Sequence, residues 1–343
     1  MLLIFRVDGG YSIGMGHISR CIVLAKYIRS NSSVKIIFVT RDFKPSIDWI
    51  KKEGFKFRTL AQEIDFITDA RITAGFLKND RGVVITDLPR LKEKYLVTLA
   101  KNKNKFKIVC LDSFGLNESV ADSIVNPSIV RTWHPLGGYK YNARYFLGPD
   151  YWILGSAFRL YHTKKKQINK KVKNVLISLG GSQTGNNISR VISSLLKFRE
   201  GLKITVVIGP AFKGFKVPKG SGDNKIVLKR NIRNLARLIF EADMGIVCAG
   251  FTLYEAACLG LPCLVMNKVA HQLETARRFE ELGIAKLIGP LGKFKKSTLK
   301  KEFERLAVSQ TIRQRMSRNG KELVDGRGTE RVWRIINNSL RKL

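Results

Sequence analysis

The sequence is short of acid. Its 343 residues hold 27 Asp and Glu against 62 Lys and Arg, a formal net charge of +35. That imbalance points to an anionic partner, whether nucleic acid, an acidic membrane face or phosphorylated small molecules, with a merely solvated lysine-rich surface as the plain alternative. Cysteine is also sparse. Cys21, Cys110, Cys248, Cys258 and Cys263 include no C-x-x-C pair, so a disulfide framework is not expected and a reducing cytosol is. The four histidines have no Cys or His neighbour at metal-ligand spacing, so neither a metal nor another cofactor is expected. No run approaches the ~18–20 apolar residues of a membrane span. The opening "MLLIF" is broken by Arg6 and Asp8, too early for a signal peptide, and a cytoplasmic protein is expected.

The lysine-rich runs at 163–173 and 293–301 lack interleaved stacking aromatics, and no zinc-finger or RNA-recognition signature is present. A nucleic-acid partner therefore rests on charge alone. Hydrophobic content of 44% and charged content of 26% are those of a globular protein, and the length suits two domains.

Short β-branched runs alternate with helical patterns. In the first half they are "LLIFRV" (2–7), a helix over 17–30, "VKIIFVT" (34–40), "GVVITD" (82–87), a helix over 90–103, "KIVCLD" (107–112) and "ADSIVN" (121–126). The pattern restarts after the polar stretch 162–173 with "NVLISLGG" (174–181), "KITVVIG" (203–209), "KIVLKR" (225–230), "MGIVCAG" (244–250) and "LPCLVM" (261–266), and ends in helices around 269–283 and 297–342. Alternation of this kind predicts α/β architecture with parallel sheets. We expect two Rossmann-like domains, 1–160 and 161–343, the second including the C-terminal helices. Their strand ends would face a shared cleft, where ligands of such sheets gather.

The loop after the first strand reads "DGGYSIGMGHISRC" (8–21). Gly14 and Gly16 let a ligand approach the backbone, and the helix start beyond them offers free N–H groups to an anion. "GMGHIS" matches the dinucleotide fingerprint only in part, with Ser19 at the third glycine, Asp42 after the second strand and a long loop from Asp8 to Gly16. His17 can serve as a cap or packing residue. Beside Asp8, Arg6 and Arg20 it stands where a general base belongs.

"SLGGSQTGNN" (178–187) and "CAGFTLYEA" (248–256) repeat the strand–glycine–helix arrangement. Gly180, Gly181 and Ser182 suit a diphosphate or an ordinary capped turn. Thr252 and Glu255 read as a T-x-x-E capping box, or, with Gly250, as contacts to a diphosphate and a ribose.

Together, "RVDGGYSIGMGHISRCIVLA", "FLGPDYWIL", "VLISLGGSQTGN" and "AGFTLYEAACLGLPCLVM…HQLETA" resemble the UDP-sugar hydrolases of the pseudaminic-acid pathway. They are similar also to the related spore-coat polysaccharide proteins and, more distantly, to the lipid II-forming glycosyltransferase. The likeness runs over roughly residues 2–285. It implies a GT-B arrangement, UDP held mainly by the second domain, and metal-free removal of UDP by water attacking the anomeric carbon with inversion.

The resemblance places the catalytic histidine on His17, the first-loop aspartate on Asp8, and the nucleotide-binding glutamate on Glu255. Asp87, His271 and Gln272 fall in the family's sugar-contacting region; with them we take Arg6, Gly14, Gly16 and Arg20 as substrate contacts, and Gly180, Gly181, Ser182, Gly250 and Thr252 as nucleotide contacts. Two places depart from the family pattern: Leu88-Pro89 follow Asp87 where the family has Asp-x-Tyr, and His271-Gln272 replace Asn-Gln. The expected substrate is a UDP-activated diacetamido-trideoxy sugar in surface-glycan (nonulosonic acid) synthesis. A glycosyltransferase of the same fold, with its basic surface open to peripheral contact with anionic membrane, is the first alternative, and a basic nucleic-acid-binding protein the second.

Overall fold

A computed structural model describes the chain apart from residues 11–12, 79, 89–92, 102–104, 112–119, 131–142, 181–184, 199–200, 210–217, 219–222, 231 and 233–234, and the side chains of 93, 185, 197 and 198. The chain forms two compact units, Met1–Gly155 with Arg327–Leu343, and Ser156–Gly326.

The first unit runs β1 (Leu2–Val7), α1 (Gly16–Asn31), β2 (Lys35–Arg41), α2 (Lys44–Lys52), β3 (Lys56–Leu60), α3 (Phe66–Gly75), β4 (Gly82–Asp87), α4 (Glu93–Ala100), β5 (Phe106–Leu111), β6 (Ser123–Asn126) and β7 (Arg144–Leu147). The sheet order is β3-β2-β1-β4-β5-β6-β7, and every pairing is parallel. β1 is buried at all six positions, as a strand covered on both faces must be. Leu3, Phe5 and Val7 face α1, whereas Leu2 and Ile4 face α3 and α4.

The second unit runs α5 (Ser156–His162), β8 (Asn174–Ser178), α6 (Gly185–Phe198), β9 (Lys203–Ile208), β10 (Lys225–Arg230), α7 (Leu235–Glu241), β11 (Met244–Cys248), α8 (Phe251–Cys258), β12 (Cys263–Asn267), α9 (Gln272–Glu281), β13 (Ala285–Pro290), α10 (Lys296–Val308) and α11 (Gln310–Leu323). Its order, β10-β9-β8-β11-β12-β13, repeats the first. In both sheets the chain starts in the middle, builds outward and then reverses, between β1 and β4 and again between β8 and β11. Ligands of open parallel sheets sit outside the strand ends at that reversal.

The division of the chain differs from the expected one at its end. Helix α12 (Gly328–Leu340) belongs to the first unit. Val332, Trp333 and Ile336 join the α1 core. Thr329 Oγ1 donates to the Leu154 carbonyl at 2.6 Å and accepts the Leu154 N–H at 3.0 Å. At Gly328 a Cβ would lie 2.1 Å from the Trp152 carbonyl oxygen, so only glycine fits. An amphipathic helix announces that it needs a core; its pattern does not say which one.

The lysine-rich stretch 162–173 is not a loose linker. Lys166 Nζ donates to the carbonyls of Phe240 at 2.6 Å and Ala242 at 2.8 Å, capping α7, and burial pushes its ammonium down to about 8. Arg313, fully buried, donates to the carbonyls of Asn169 and Lys170 at 2.8 and 2.9 Å. All five cysteines are buried and free. Among the described residues no helix is long and apolar enough to cross a membrane.

Candidate active site

The reversal point of the first unit is the end of β1 beside the end of β4, with Val7 opposite Asp87. Between β1 and α1 the loop is pinched by two backbone hydrogen bonds joining Gly10 and Gly14 (3.2 and 2.7 Å). Gly14 has φ +77° with open space around its missing Cβ, so the loop needs glycine for conformation there. At Gly9 the reason is contact, since a Cβ would lie 2.2 Å from Ser46 Oγ. Gly16 opens α1, which has no side-chain cap at its N-terminus.

His17 in the first turn of α1 reaches β4. Its Nδ1 lies 2.7 Å from Asp87 Oδ1, and the ring is 17% exposed while Asp87 is 1% exposed. Burial alone would raise the Asp87 carboxyl; the charges and hydrogen bonds of Arg20 and His17 instead hold it well below the usual carboxylate range. An ionised carboxylate accepts only, so Nδ1 carries a proton and donates it to Asp87, which leaves Nε2 as the ring nitrogen not engaged by Asp87.

Arg20 and Asp87 were expected to touch substrate, and both are buried. Arg20 Nε donates to Asp87 Oδ2 at 2.6 Å and its Nη2 donates to Oδ1. The Cys21 thiol donates to Oδ2 at 3.3 Å.

The opposite face of β1 holds a second charged cluster. Arg6, 1% exposed, donates through Nη1 and Nη2 to Asp8 at 2.5 and 2.9 Å, and through Nη2 and Nε to Asp69 at 2.6 and 2.9 Å. Asp8 Oδ1 also accepts the Arg41 backbone N–H at 2.8 Å. Asp8 was expected to orient the sugar or the base; its oxygens are held by Arg6 and Arg41, and the carboxylate on His17 is Asp87. Arg6 likewise serves carboxylates within the protein. Asp69 had no sequence signal. It lies inside α3 and becomes significant only when the sheet brings Arg6 against it.

In the second unit, Gly180 follows β8 with φ +89° and nothing within 4 Å of its missing Cβ. Gly181 and Ser182 lie outside the described residues. Gly250 is the N-cap of α8, which has no side-chain cap. The expected T-x-x-E capping box is therefore absent, because Thr252 and Glu255 sit inside the helix, one turn apart. Burial pushes the Glu255 carboxyl up to about 7, opposed by a hydrogen bond with Thr252. Gln272 Nε2 lies 3.4 Å from where a Gly250 Cβ would be, and its Oε1 accepts the Lys268 N–H at 2.9 Å. His271, exposed, precedes α9 as its N-cap. Asn267, at the end of β12, was not singled out from sequence; its buried Oδ1 has no hydrogen-bond partner among the described residues. Among the described residues no group of three or more His, Cys, Asp or Glu could hold a metal ion.

Fold and site together define an α/β protein of two parallel-sheet units with glycine-rich strand ends, the fold of GT-B glycosyltransferases and nucleotide-sugar epimerases. The structure resembles MurG of Acinetobacter baumannii (TM-score 0.71, 13% identity, 98% of this chain and 99% of that one) and an S. aureus MnaA–UDP structure (TM-score 0.62, 14% identity, 100% and 97%). No family model matches the sequence. The chain is 31% identical over 291 residues to an uncharacterized protein of Methanocaldococcus jannaschii, covering 80% of this chain and 57% of that one. It is 28% identical over 339 residues to the spore coat polysaccharide biosynthesis protein SpsG of Bacillus subtilis, covering 96% of each. Over 170 residues it is 27% identical to the pseudaminic acid cytidylyltransferase and UDP-2,4-diacetamido-2,4,6-trideoxy-beta-L-altropyranose hydrolase of Helicobacter pylori, 49% of this chain and 29% of that one. The chain thus spans little more than half of the archaeal relative and under a third of the Helicobacter protein.

Proposed function

We propose that the protein processes a nucleotide sugar in polysaccharide synthesis, and that within this class it is a hydrolase releasing UDP from a UDP-activated, diacetamido-trideoxy-type sugar. The observation that carries the reading is the His17–Asp87 pair at the sheet reversal of the first unit. The part-sequence likeness to the Helicobacter hydrolase supports it.

In this mechanism His17 Nε2 takes a proton from water. The water oxygen bonds to the anomeric carbon as the bond from that carbon to the diphosphate oxygen breaks, and UDP leaves with the electron pair. Asp87 keeps Nδ1 protonated and the ring aimed. The second unit is assigned the nucleotide: Gly180, Gly181, Ser182, Gly250 and Thr252 are assigned to the diphosphate, with the α8 start offering N–H groups, and Glu255 to the ribose. Gly14, Gly16, His271 and Gln272 are assigned to the sugar. General-base catalysis of this kind typically contributes about 10²–10⁴-fold.

A transferase reading has its own support in the MurG fold likeness and in a 22% identity over 357 residues to an N-acetylglucosamine transferase of Caldicellulosiruptor saccharolyticus. An NMR time course on a panel of UDP-sugars without acceptor separates the two. Release of UDP with a free, inverted sugar supports the hydrolase; consumption only when an acceptor is added supports the transferase.

A further inference from the structure

We propose that Arg20 keeps His17 in its uncharged, basic form: its buried guanidinium cancels the Asp87 carboxylate, so the carboxylate orients the ring without drawing a second proton onto it. The inference rests on the reading of His17 as the base and names the residue that regulates it.

A bare carboxylate against an imidazole does two things at once. It fixes the tautomer, and it stabilises the imidazolium. A base that must work on water needs the first and is blunted by the second if it charges too early. Asp87 is not bare. Its Oδ2 accepts Arg20 Nε–H at 2.6 Å and the Cys21 thiol at 3.3 Å, and its Oδ1 accepts both Arg20 Nη2 and His17 Nδ1. Arg20 Nη2 lies 3.0 Å from His17 Nδ1, so two donors converge on one oxygen. A second proton on the ring would put positive charge beside the guanidinium with little water between them, since the Arg20 and Asp87 side chains are 3% and 1% exposed. Arg20 follows His17 by three residues on α1, which places both on one helix face.

Among the described residues, charged groups on the neighbouring elements are paired as follows. On β1, Arg6 and Asp8 pair on the opposite face of the sheet. On α12, which packs against α1, Arg334 pairs with Glu330 and Arg331 with Asp150. Among the described residues, those bonded around His17 are Asp87 from β4 and Arg20 from its own helix, with Cys21 acting through Asp87.

The test is an ¹⁵N NMR titration of the His17 ring in the full-length wild type, Arg20→Gln and Arg20→Lys, with circular dichroism as the folding control. Losing a like charge at this range should move the ring's titration midpoint up by about 1–3 pH units in Arg20→Gln. Arg20→Lys keeps Asp87 paired but draws the charge back from Nδ1, so its upward shift should be smaller. It carries the test alone if the glutamine variant does not fold. The acid limb of kcat/KM for UDP-sugar should move with the midpoint, and Arg20→Gln should regain turnover at alkaline pH, which a merely structural role would not produce. A midpoint unmoved from wild type in every folded variant overturns the proposal. Because the titration needs no substrate, a shifted midpoint in a protein that turns over no nucleotide sugar overturns the functional reading and leaves the role of Arg20 standing.

Discussion

Replacing Asp87 by asparagine should separate stability from chemistry at the candidate site. The substitution keeps the shape and removes one negative charge, so Arg20, 3% exposed, is left buried against a neutral amide. Breaking a buried pair from one side typically loses about 3–5 kcal/mol. At roughly 2–4 °C per kcal/mol for a unit of this size, calorimetry should show the melting of the first unit falling by about 6–20 °C. Turnover should fall separately. The amide oxygen turns toward Arg20, its NH₂ faces His17 Nδ1, and the ring must accept there and carry its proton on Nε2, which ends its use as a base. The expected loss is about 10²–10⁴-fold. The double variant Asp87→Asn/Arg20→Gln sharpens the test, because a neutral pair often costs little relative to the ion pair it replaces. It should regain most of the lost melting temperature and none of the lost turnover. A single variant as stable as wild type, or a double variant that recovers turnover along with stability, would refute this account of the pair.

Four further outcomes follow from the two units' candidate residues. His17→Asn should lower kcat by about 10²–10⁴-fold while leaving UDP affinity, measured by calorimetry, nearly unchanged; a lowered melting temperature with intact activity would return His17 to a packing role. Glu255 holds its proton up to about 7 when folded and to about 4.3 when unfolded. The folded state therefore binds the extra proton, and stability from this group falls as pH rises between those values, by an amount on the order of 3 kcal/mol; Glu255→Gln should remove that slope in denaturant titrations. If its carboxylate accepts from the ribose, UDP binding should strengthen as pH rises through about 7 and should release a proton, seen as a buffer-dependent binding enthalpy that Glu255→Gln abolishes. Added UDP should slow amide exchange around Gly180 and over 250–256; equal protection of the first unit would count against assigning the nucleotide to the second.

The alternation of strands and helices was plain in the sequence because buried parallel strands read as unbroken apolar runs, and "LLIFRV" and "GVVITD" became β1 and β4. β3 (KFRTL) escaped notice, having exposed and polar positions as a strand at the sheet edge does. The apparent helical region over 297–342 became three helices, broken where Ser309 caps α11 and where the chain passes Gly326 at φ +75°. His17 was visible from its setting among glycines. Asp87 was visible as a polar strand end, but its partner was not, because a strand's register against its neighbour is what sets Asp87 beside α1. Arg6 and Arg20 stood among the expected substrate contacts, and the structure shows each buried against a carboxylate. Those partners, Asp69 and Asp87, lie 60 or more positions away in sequence, so the sequence alone does not show the burial.

The two charged clusters divide one task between the two faces of the same strand pair. Residues along β1 alternate sides, so Leu3, Phe5 and Val7 meet α1 while Arg6 and Asp8 turn to α3. A buried ion pair is a poor source of net stability, since desolvation offsets most of its attraction, yet it is strongly directional. Arg6 spends its donors on Asp69 of α3 and on Asp8, and Asp8 takes the Arg41 N–H at the end of β2. Three elements are thereby fixed against the residue at which the glycine loop begins. On the other face Arg20 and Asp87 fix the first turn of α1, at which that loop ends. The loop that carries Gly9, Gly10 and Gly14 is thus anchored at both ends by desolvated charge. His17, in the first turn of α1, is aimed from that anchored end by Asp87 at 2.7 Å.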